Sequence, residues 1–230
     1  MSDHTLLSAR RQEAAQNSPL IYRGFMTTGR GLNLKNRENA FNFGDPAREV
    51  FRVVRGCVLL QRMNKNGRFI NSNIAFPGDI IGDAPEGTYA WSAQAAGPAS
   101  LRAVPKADFE KAVGENGPMA PELAKILANQ LQRSYELLAI NHNGDCTTKT
   151  ASFFMWFQKN SQKKLPSHVE TVDFPFSAER IGEILGFSRE AIEASIRKLC
   201  QDGCIAKSET DKRGSFQIRD LPKLRKLAEE

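Results

Sequence analysis

The segment SAERIGEILGFSREAIEASIRKL, residues 177–199, contains two short amphipathic patterns separated by the sequence GFS at 186–188. Apolar residues recur in it at three- and four-residue steps, which is the spacing of one helix face. These residues are Ile181, Ile184 and Leu185 in the first pattern and Ile192, Ile196 and Leu199 in the second. The segment therefore predicts two helices joined by a tight turn.

Capping residues and glycines indicate where these two helices begin and end. Ser177 and Ser188 each precede a helical pattern, where a serine hydroxyl can accept a hydrogen bond from a free backbone N–H. Gly182 leaves room for close packing, and Gly186 permits the positive φ of a tight turn. Such a pair is typical of a helix-turn-helix, whose second helix enters the DNA major groove. An ordinary helical hairpin has the same pattern, so the segment alone leaves both interpretations open.

The residues after the second helix predict a β-hairpin with a basic tip. Gly203 follows the helix as a stop signal. The sequences CIA at 204–206 and SFQI at 215–218 read as two short strands, and the polar tip between them contains Lys212 and Arg213. A helix-turn-helix followed by a hairpin is a winged helix, in which cations at the tip are placed to contact phosphates. This hairpin favours DNA binding over an ordinary helical pair.

Composition and charge limit the class of protein. The chain has 230 residues, 40% hydrophobic content and a net charge of +6, which suits a folded protein that contacts a polyanion. No apolar run approaches the roughly 20 residues needed to cross a bilayer, and the N-terminus lacks the apolar core of a secretory signal. We therefore expect a cytoplasmic protein with no membrane partner.

The cysteines and histidines indicate no metal site. The four cysteines, at 57, 146, 200 and 204, lack paired CxxC spacing, and only three histidines are present to complete a zinc site. Cys200 and Cys204 lie at the end of the predicted DNA-reading helix. Two small, semi-buried thiols are the plainer interpretation, and a redox-sensitive thiol is the alternative.

The N-terminal half reads as a polar tail at 1–20 followed by β-structure. Arg55-Gly56 and the sequence NKNG at 64–67 are turn signals between short apolar runs. The runs lie at 50–54, 57–60, 69–70, 74–76 and 80–81. Many short strands with regular turns indicate a small barrel or roll. We therefore predict a β-roll domain at 21–117, with a short helix near its end.

A long helical pattern follows the roll, from Met119 to about Ile140. Its apolar stripe is wide enough to serve both its own domain and a partner helix. The stripe could belong to the core of its own chain, or it could form the seam of a homodimer. We favour the seam, because a long helix between two domains has a free face. The residues of the predicted seam are Leu123, Ile126, Leu127, Gln130, Leu131, Ser134, Leu137 and Leu138.

The sequence NHNGD at 141–145 ends this helix as a hinge at which the roll and the winged helix could rotate. The long helix and hinge occupy 118–145, and the winged-helix domain occupies 146–230. Thr147 or Thr148 is expected to cap the next helix. Its four aromatic residues indicate a core anchor rather than a platform for stacking nucleic-acid bases. They are Phe153, Phe154, Trp156 and Phe157.

This order of elements resembles the CRP/FNR family of bacterial transcription regulators, from about residue 40 to the C-terminus. VFRVVRGCVLLQRMNKNGR and the later FPGDIIG, within 50–82, are similar to the family's roll, and SAERIGEILGFSREAIEASIRKLCQDGCI is similar to its helix-turn-helix. The FixK-like branch is the nearest resemblance. The resemblance implies an α+β fold with an N-terminal cyclic-nucleotide-binding-like β-roll, a long dimerisation helix and a C-terminal winged helix-turn-helix.

The resemblance also implies DNA contacts from a recognition helix at 188–200. Arg189 and Glu190 match positions that read base edges in the family, Glu193 occupies another base-facing position, and Arg197 matches a phosphate-contacting cation. Arginine can pair with guanine O6 and N7, and glutamate can accept from cytosine N4. Ala194 stands where many members have a base-reading arginine, so the half-site should differ from the TGTGA and TTGAT types. The residues expected to contact DNA are Ser188, Arg189, Glu190, Glu193, Arg197, Lys198, Lys212 and Arg213.

The roll departs from the family members that bind cyclic nucleotides. Those members have a glutamate after the PGD-x-[IF]-G turn and then an Arg-Ser pair that holds the cyclic phosphate. Here Asp83 takes the acidic place, and the sequence GTYAWS at 87–92 contains no arginine. A buried phosphate without a cation is poorly stabilised, so we expect no cAMP. The first cysteine is Cys57 and the three histidines lie outside the roll, so the sequence identifies neither an iron–sulfur nor a heme site, and no cofactor.

The sequence thus predicts a homodimeric, sequence-specific DNA-binding transcription regulator. Its expected partners are a two-fold-symmetric DNA operator and RNA polymerase. An enzyme with a catalytic metal in the roll is disfavoured, because no histidine lies between residues 21 and 104. A ligand-binding or protein-interaction module whose winged helix binds protein stays as the alternative, since no sequence feature eliminates it.

Overall fold

The computed structural model describes residues 20–66, 69–82, 85–142, 144–161, 174–207 and 216–229. They form an α+β fold in which a β-roll precedes a run of helices. The first part contains α1 (Leu20–Thr28), β1 (Arg30–Leu34), β2 (Asn39–Phe41), β3 (Glu49–Met63), β4 (Phe69–Ala75), β5 (Ile80–Ile81) and β6 (Ser92–Pro105). The second part contains α2 (Lys106–Glu115), α3 (Met119–His142), α4 (Cys146–Ser161), α5 (Ala178–Leu185), α6 (Arg189–Gln201), β7 (Ile205–Lys207), β8 (Phe216–Ile218) and α7 (Leu221–Glu229).

Within the described ranges, six strands form one antiparallel sheet, which is the predicted roll. The strand order is β1-β6-β3-β4, with β2 paired to β6 and β5 paired to β3. The two longest strands, β3 and β6, pair with each other along most of their length. Side chains on one face of these strands fill the interior of the roll, among them Phe51, Val53, Val58 and Leu101.

The turn predicted at Arg55-Gly56 is instead a β-bulge inside the continuous strand β3. The pairing of β3 with β6 shifts register on both sides of Arg55. Gly56 has a φ of 79°, and a Cβ at this position would lie 2.5 Å from the carbonyl oxygen of Pro98. A bulge bends a strand without ending it, so two apolar runs belong to one strand here.

Residues 20–28 form helix α1, although the sequence predicted β-structure from residue 21. Ile21 and Phe25 lie one helical turn apart and pack in one cluster with Val50 and Phe109. The rings of Phe25 and Phe109 are 5.7 Å apart between centroids. Two buried positions are too few to establish a helical period, which explains the wrong prediction.

Helix α3 is fixed on the roll by a buried polar network. Arg133 forms an ion pair with Asp79, in the turn between β4 and β5, and both side chains are buried. Asp79 also accepts a hydrogen bond from the backbone N–H of Phe76 at 2.8 Å. Gln130 Nε2 donates to the carbonyl of Ile80 at 3.0 Å. Breaking a buried pair of this kind would leave an uncompensated charge, so the network holds α3 at one position along the roll.

The aromatic residues of α4 join the roll to the winged helix in one hydrophobic core. All four are buried, as predicted: Phe153, Phe154, Trp156 and Phe157. Phe76 of the roll contacts Trp156 and Phe157, with ring centroids 5.7 and 5.5 Å apart. On the other side, Phe154 contacts Phe216 of β8 at 5.7 Å. The core therefore continues across the boundary that the sequence suggested at residue 145.

Asp145 caps α4, whereas the sequence suggested Thr147 or Thr148. Asp145 Oδ1 accepts a hydrogen bond from the backbone N–H of Thr148 at 2.8 Å, and this bond lowers the pKa of the Asp145 carboxyl. Gly144 precedes the cap with a φ of 84°. The turn between α3 and α4 is therefore short and closed by a specific side chain.

Helices α5 and α6 form the predicted helix-turn-helix, and β7 and β8 form the base of the predicted wing. The hydroxyls of Ser177 and Ser188 cap α5 and α6 as predicted. Gly186 ends α5 in the left-handed conformation, with a φ of 76°. Strands β7 and β8 pair antiparallel. The wing tip with Lys212 and Arg213 lies outside the described residues.

Candidate nucleic-acid interface

Helix α6 has one buried face and one open face. The buried face packs in the core through Ile192, Ser195, Ile196 and Leu199. The exposed residues on the other side are Ser188, Arg189, Glu190, Ala194, Arg197 and Lys198. Glu193 lies beside them with 38% of its side chain exposed. The structure thus brings six predicted DNA-contacting residues together on one accessible surface.

The N-terminal half of this open face combines hydrogen-bond donors with acceptors. Arg189 Nε donates to Glu193 Oε1 at 2.7 Å, and this bond raises the pKa of the Arg189 guanidinium. Glu190 accepts from its own backbone N–H and from the Ser188 hydroxyl, which together lower the pKa of its carboxyl. The face therefore presents a charged guanidinium next to a carboxylate, which are the groups that recognise guanine and cytosine edges.

Two cations continue the open face toward its C-terminal end. Arg197 and Lys198 are both exposed on the last turns of α6, beyond the base-facing residues. Cations in this position can contact the phosphates that border a groove, which fixes register without reading sequence.

Sequence reasoning missed the residues that fix the helix-turn-helix against the roll. Arg180 of α5 is only 8% exposed and donates to Gln61 Oε1 at 3.2 Å and to Gln94 Oε1, both in the roll. Beside them, Arg37 pairs with Glu179 at 3.2 Å. One sequence read on its own gives no signal for contacts between residues so far apart along the chain. These contacts set the orientation of the helix-turn-helix on the roll.

The predicted seam on α3 divides between two faces of the helix. Gln130 and Leu137 are buried inside the same chain. Leu123 and Ile126 are half-buried against the cluster around Ile21. These four residues therefore pack, fully or in part, against other side chains of their own chain.

The other four seam residues lie on the outward face of α3. Leu127, Leu131 and Leu138 are 42, 53 and 54% exposed, and Ser134 lies between them. Tyr135, which is not among the predicted seam residues, is 62% exposed beside them. Spacings of four, three and four residues are those of a coiled-coil seam. A row of large exposed apolar side chains indicates an interaction surface.

The two cysteines at the end of α6 have different environments. Cys204 is completely buried, and burial raises the pKa of its thiol. Cys200 is half-buried. Oxidation requires a thiolate that an oxidant can reach, so the environment of Cys204 opposes the suggested redox role. Burial likewise raises the pKa of Cys57, in the roll, to about 12.

A cavity of about 530 Å³ lies inside the roll next to α3. Its apolar lining includes Phe41, Trp91 and Leu127. Among its described lining residues Glu86 is the one charged side chain, and positions 83 and 84, outside the described ranges, are Asp and Ala. A buried cyclic phosphate would need a cation or several N–H donors. These residues therefore do not fit a cyclic nucleotide.

The described residues contain no group of three or more His, Cys, Asp or Glu side chains that could hold a metal ion. None of the helices in the described ranges is both long and apolar enough to cross a membrane.

Two family models match the chain, one on each part of the fold. The cyclic nucleotide-binding domain matches residues 32–116, and the Crp-like helix-turn-helix domain matches residues 148–227. Together the two ranges cover more than half of the 230 residues.

Regulators of nitrogen fixation are similar to the chain over most of its length. The nitrogen fixation regulation protein FixK of Bradyrhizobium diazoefficiens is 25% identical over 185 residues, which are 80% of this chain and 77% of that protein. FixK of Azorhizobium caulinodans is 26% identical over 191 residues, 82% of this chain and 76% of that protein. The solved structure of FixK2 from Bradyrhizobium japonicum has the same fold, with a TM-score of 0.74 at 22% identity, over 87% of this chain and 97% of that chain.

The roll, the long helix and the helix-turn-helix follow one another in the order of the two matched domains. The chain therefore belongs to the CRP/FNR family of transcription regulators, on its FixK-like branch.

Proposed function

We propose that this regulator is a homodimer that binds a specific DNA sequence by placing α6 in the major groove. The observation that carries the proposal is the open face of α6, where Ser188, Arg189, Glu190 and Glu193 stand together, exposed or partly exposed. In a helix-turn-helix, the second helix lies in the major groove and its exposed side chains read the bases. A regulator of this kind acts in the cytoplasm, where bacterial DNA lies.

The base contacts follow from the chemistry of the open face. Arg189 would donate to O6 and N7 of a guanine, and Glu190 and Glu193 would accept from cytosine N4. Ala194 has only a methyl group, which can contact the methyl group of thymine. Because Ala194 replaces an arginine that many family members use, the operator half-site would differ from TGTGA and TTGAT.

The dimer would form along the outward face of α3. Leu127, Leu131, Ser134 and Leu138 would pack against the same residues of a second copy, with Tyr135 beside them. The two recognition helices would then contact half-sites about 34–36 Å apart, one turn of the DNA helix. The operator would share the two-fold symmetry of the dimer.

Cations around the recognition helix would contact DNA phosphates. Arg197 and Lys198 are exposed on α6, and Lys212 and Arg213 belong to the wing. We also propose RNA polymerase as the second partner, because a transcription regulator acts on that enzyme. The effector is unidentified, and the lining of the roll cavity argues against cAMP.

A gel shift on DNA from upstream of the protein's own gene, repeated across salt concentrations, tests the proposal. Four cations in each of two protomers would contact about eight phosphates, so the slope of log K against log salt should be about −7. A scrambled fragment of equal length should bind much more weakly at moderate salt.

The same experiment distinguishes this proposal from the alternative, in which the winged helix binds protein. Equal affinity for the operator fragment and the scrambled fragment would show that the protein does not bind DNA sequence-specifically. Failure to shift any genomic fragment, even at low salt, would leave the winged helix as a surface that binds protein.

A further inference from the structure

A cleft of about 690 Å³ separates the roll from the segment that leads into α5. On one side lie the β1–β2 connection, the bulge of β3 and a bend in β6, and on the other lie residues 174–177 and Arg180. The cleft shares no described lining residue with the cavity inside the roll. Its volume is in the range of sites that bind small molecules.

The charged side chains among the described lining residues of the cleft are all arginines. Its described lining includes Arg37, Arg55 and Arg180 but no aspartate or glutamate. Arg55 is exposed and forms no ion pair with any described residue. Arg37 pairs with Glu179 at the exposed rim of the cleft, and such surface pairs exchange partners at little cost. Arg180 also lines the cleft, but it is buried and already pairs with Glu183 at 2.5 Å. The cations open to a ligand are therefore Arg55 and, by exchange of its surface pair, Arg37. The cleft therefore favours a negatively charged ligand.

The uncharged lining of the cleft combines apolar and polar side chains and is held in place. Leu34 and Phe174 are buried side chains that line it. Asn36 Oδ1 accepts a hydrogen bond from the backbone N–H of Gly97 at 2.9 Å, which ties the β1–β2 connection to β6. Gly97 has a φ of 79°, and a Cβ on it would lie 3.4 Å from Cβ of Pro175. Because these walls are already fixed, a ligand would lose little affinity to rearrangement.

We propose that this cleft binds a small organic anion. Its phosphate or carboxylate would lie between Arg37 and Arg55, and its apolar or aromatic body would contact Leu34 and Phe174. The planar guanidinium group forms paired hydrogen bonds with either kind of anion. Because one wall belongs to the roll and the other leads into the helix-turn-helix, the bound anion contacts both parts of the protein. This inference does not depend on the proposed DNA binding.

Isothermal titration calorimetry with two pairs of probes tests the inference. AMP and salicylate are anions with an aromatic body, and adenosine and salicylamide are their neutral counterparts. Both anions should bind the full-length protein with a Kd below about 1 mM, and the neutral counterparts should bind roughly tenfold more weakly or worse. Absence of saturable binding by both anions would overturn the proposal.

Two matched variants locate the site. R55Q removes the cleft arginine that forms no ion pair with any described residue, and R48Q removes an exposed arginine of the roll outside the cleft. R55Q should weaken binding of AMP and salicylate roughly tenfold, and R48Q should leave it unchanged. Equal affinities in the two variants would show that the anions bind elsewhere, which would also overturn the proposal.

A gel shift without added anion separates this result from a failure of the proposed function. R55Q should shift operator DNA as the wild-type protein does. If the wild-type protein shifts no DNA but binds AMP in an Arg55-dependent way, DNA binding fails and the anion site stands.

Discussion

Arg189 is held by Glu193 through Nε, which leaves the two terminal nitrogens of its guanidinium out of this bond. The 2.7 Å bond between them uses Arg189 Nε and Glu193 Oε1. Such an exposed pair adds little stability, so its main effect is on side-chain orientation. The two terminal nitrogens of the guanidinium stay available for guanine O6 and N7. In the proposed complex, Glu193 would therefore orient Arg189 before DNA binds.

Replacing Arg189 by alanine should relax specificity at one base pair of each half-site. The loss of its paired hydrogen bonds should remove about 1–3 kcal/mol of discrimination at that pair. Binding selections from randomised DNA, with the variant and the wild-type protein, would measure it. R225A is the matched control, because it removes an exposed arginine of α7. An unchanged preference in R189A would contradict the role given to this residue.

Gly182 should not tolerate a side chain. A Cβ on Gly182 would lie 2.5 Å from the carbonyl oxygen of Phe187, in the turn before α6. G182A should therefore lower the free energy of unfolding by about 1–3 kcal/mol, measured by chemical denaturation. Gly24, in α1, is the control, since a Cβ there meets no atom within 4 Å. G24A should be neutral or slightly stabilising, and equal losses in both variants would refute the steric argument.

The sequence predicted the longer helices, but it did not predict which side chains those helices pack against. Helices α3 and α6 were predictable because their apolar residues repeat at helical spacing over several turns. The bulge at Gly56 was not predictable, because a turn and a bulge both use a glycine with positive φ. The division of the α3 stripe was also hidden, since it depends on where the roll packs.

The sequence also predicted only part of the candidate site. The open face of α6 was predictable as the complement of its apolar stripe. The attachment of Arg180 to Gln61 and Gln94 was not, because its partners come from distant parts of the chain. The bent strands that shape the arginine-lined cleft escaped prediction for the same reason.

Charged residues on the outward face of α3 should separate the dimer. The double variant L131E/L138E places like charges opposite each other across the proposed seam. Light scattering should then give the mass of a monomer, while circular dichroism stays native. The control is L137A, which truncates a buried residue and should cost about 2–5 kcal/mol of stability without changing the dimer mass. A dimeric double variant would place the seam elsewhere.

The cap of α4 should contribute stability that depends on pH. D145A removes the side chain that accepts the Thr148 N–H and should cost about 1 kcal/mol at neutral pH. The folded state lowers the pKa of Asp145, so this contribution is complete above the unfolded-state pKa of about 3.9. It is lost as pH falls through the lower folded-state pKa.

Denaturation at pH 7 and at pH 3 measures this dependence. The difference between wild type and D145A should shrink at pH 3. D108A is the control, because Asp108 is an exposed carboxylate in the first turn of α2. A difference that does not depend on pH would contradict the assignment of the cap.

At the scale of the whole molecule, the roll and the winged helix share one core. Phe76 of the roll contacts the aromatic side chains of α4, and Phe154 of α4 contacts β8. Arg180 adds polar contacts between the roll and α5. A rotation at residues 141–145 would have to separate buried aromatic surface. The structure thus disfavours the free hinge that the sequence suggested there.

The two parts should therefore unfold together. The chain has two tryptophans, Trp91 in the roll and Trp156 in α4. W156F and W91F each leave one fluorescent reporter, and both reporters should give the same denaturation midpoint as circular dichroism. Separate midpoints for the two reporters would show that the shared core does not couple the two parts.

The shared core has a consequence for the spacer between the two half-sites of the proposed operator. If neither winged helix can rotate relative to its own roll, the alignment of the two α3 helices determines the distance between the two recognition helices. Inserting or deleting one base pair at the centre of the operator would then displace one half-site by about 3.4 Å and turn it around the duplex axis, with no flexible joint to compensate. Such a regulator would bind only weakly to genomic sites whose half-sites have the correct sequence but the wrong spacing.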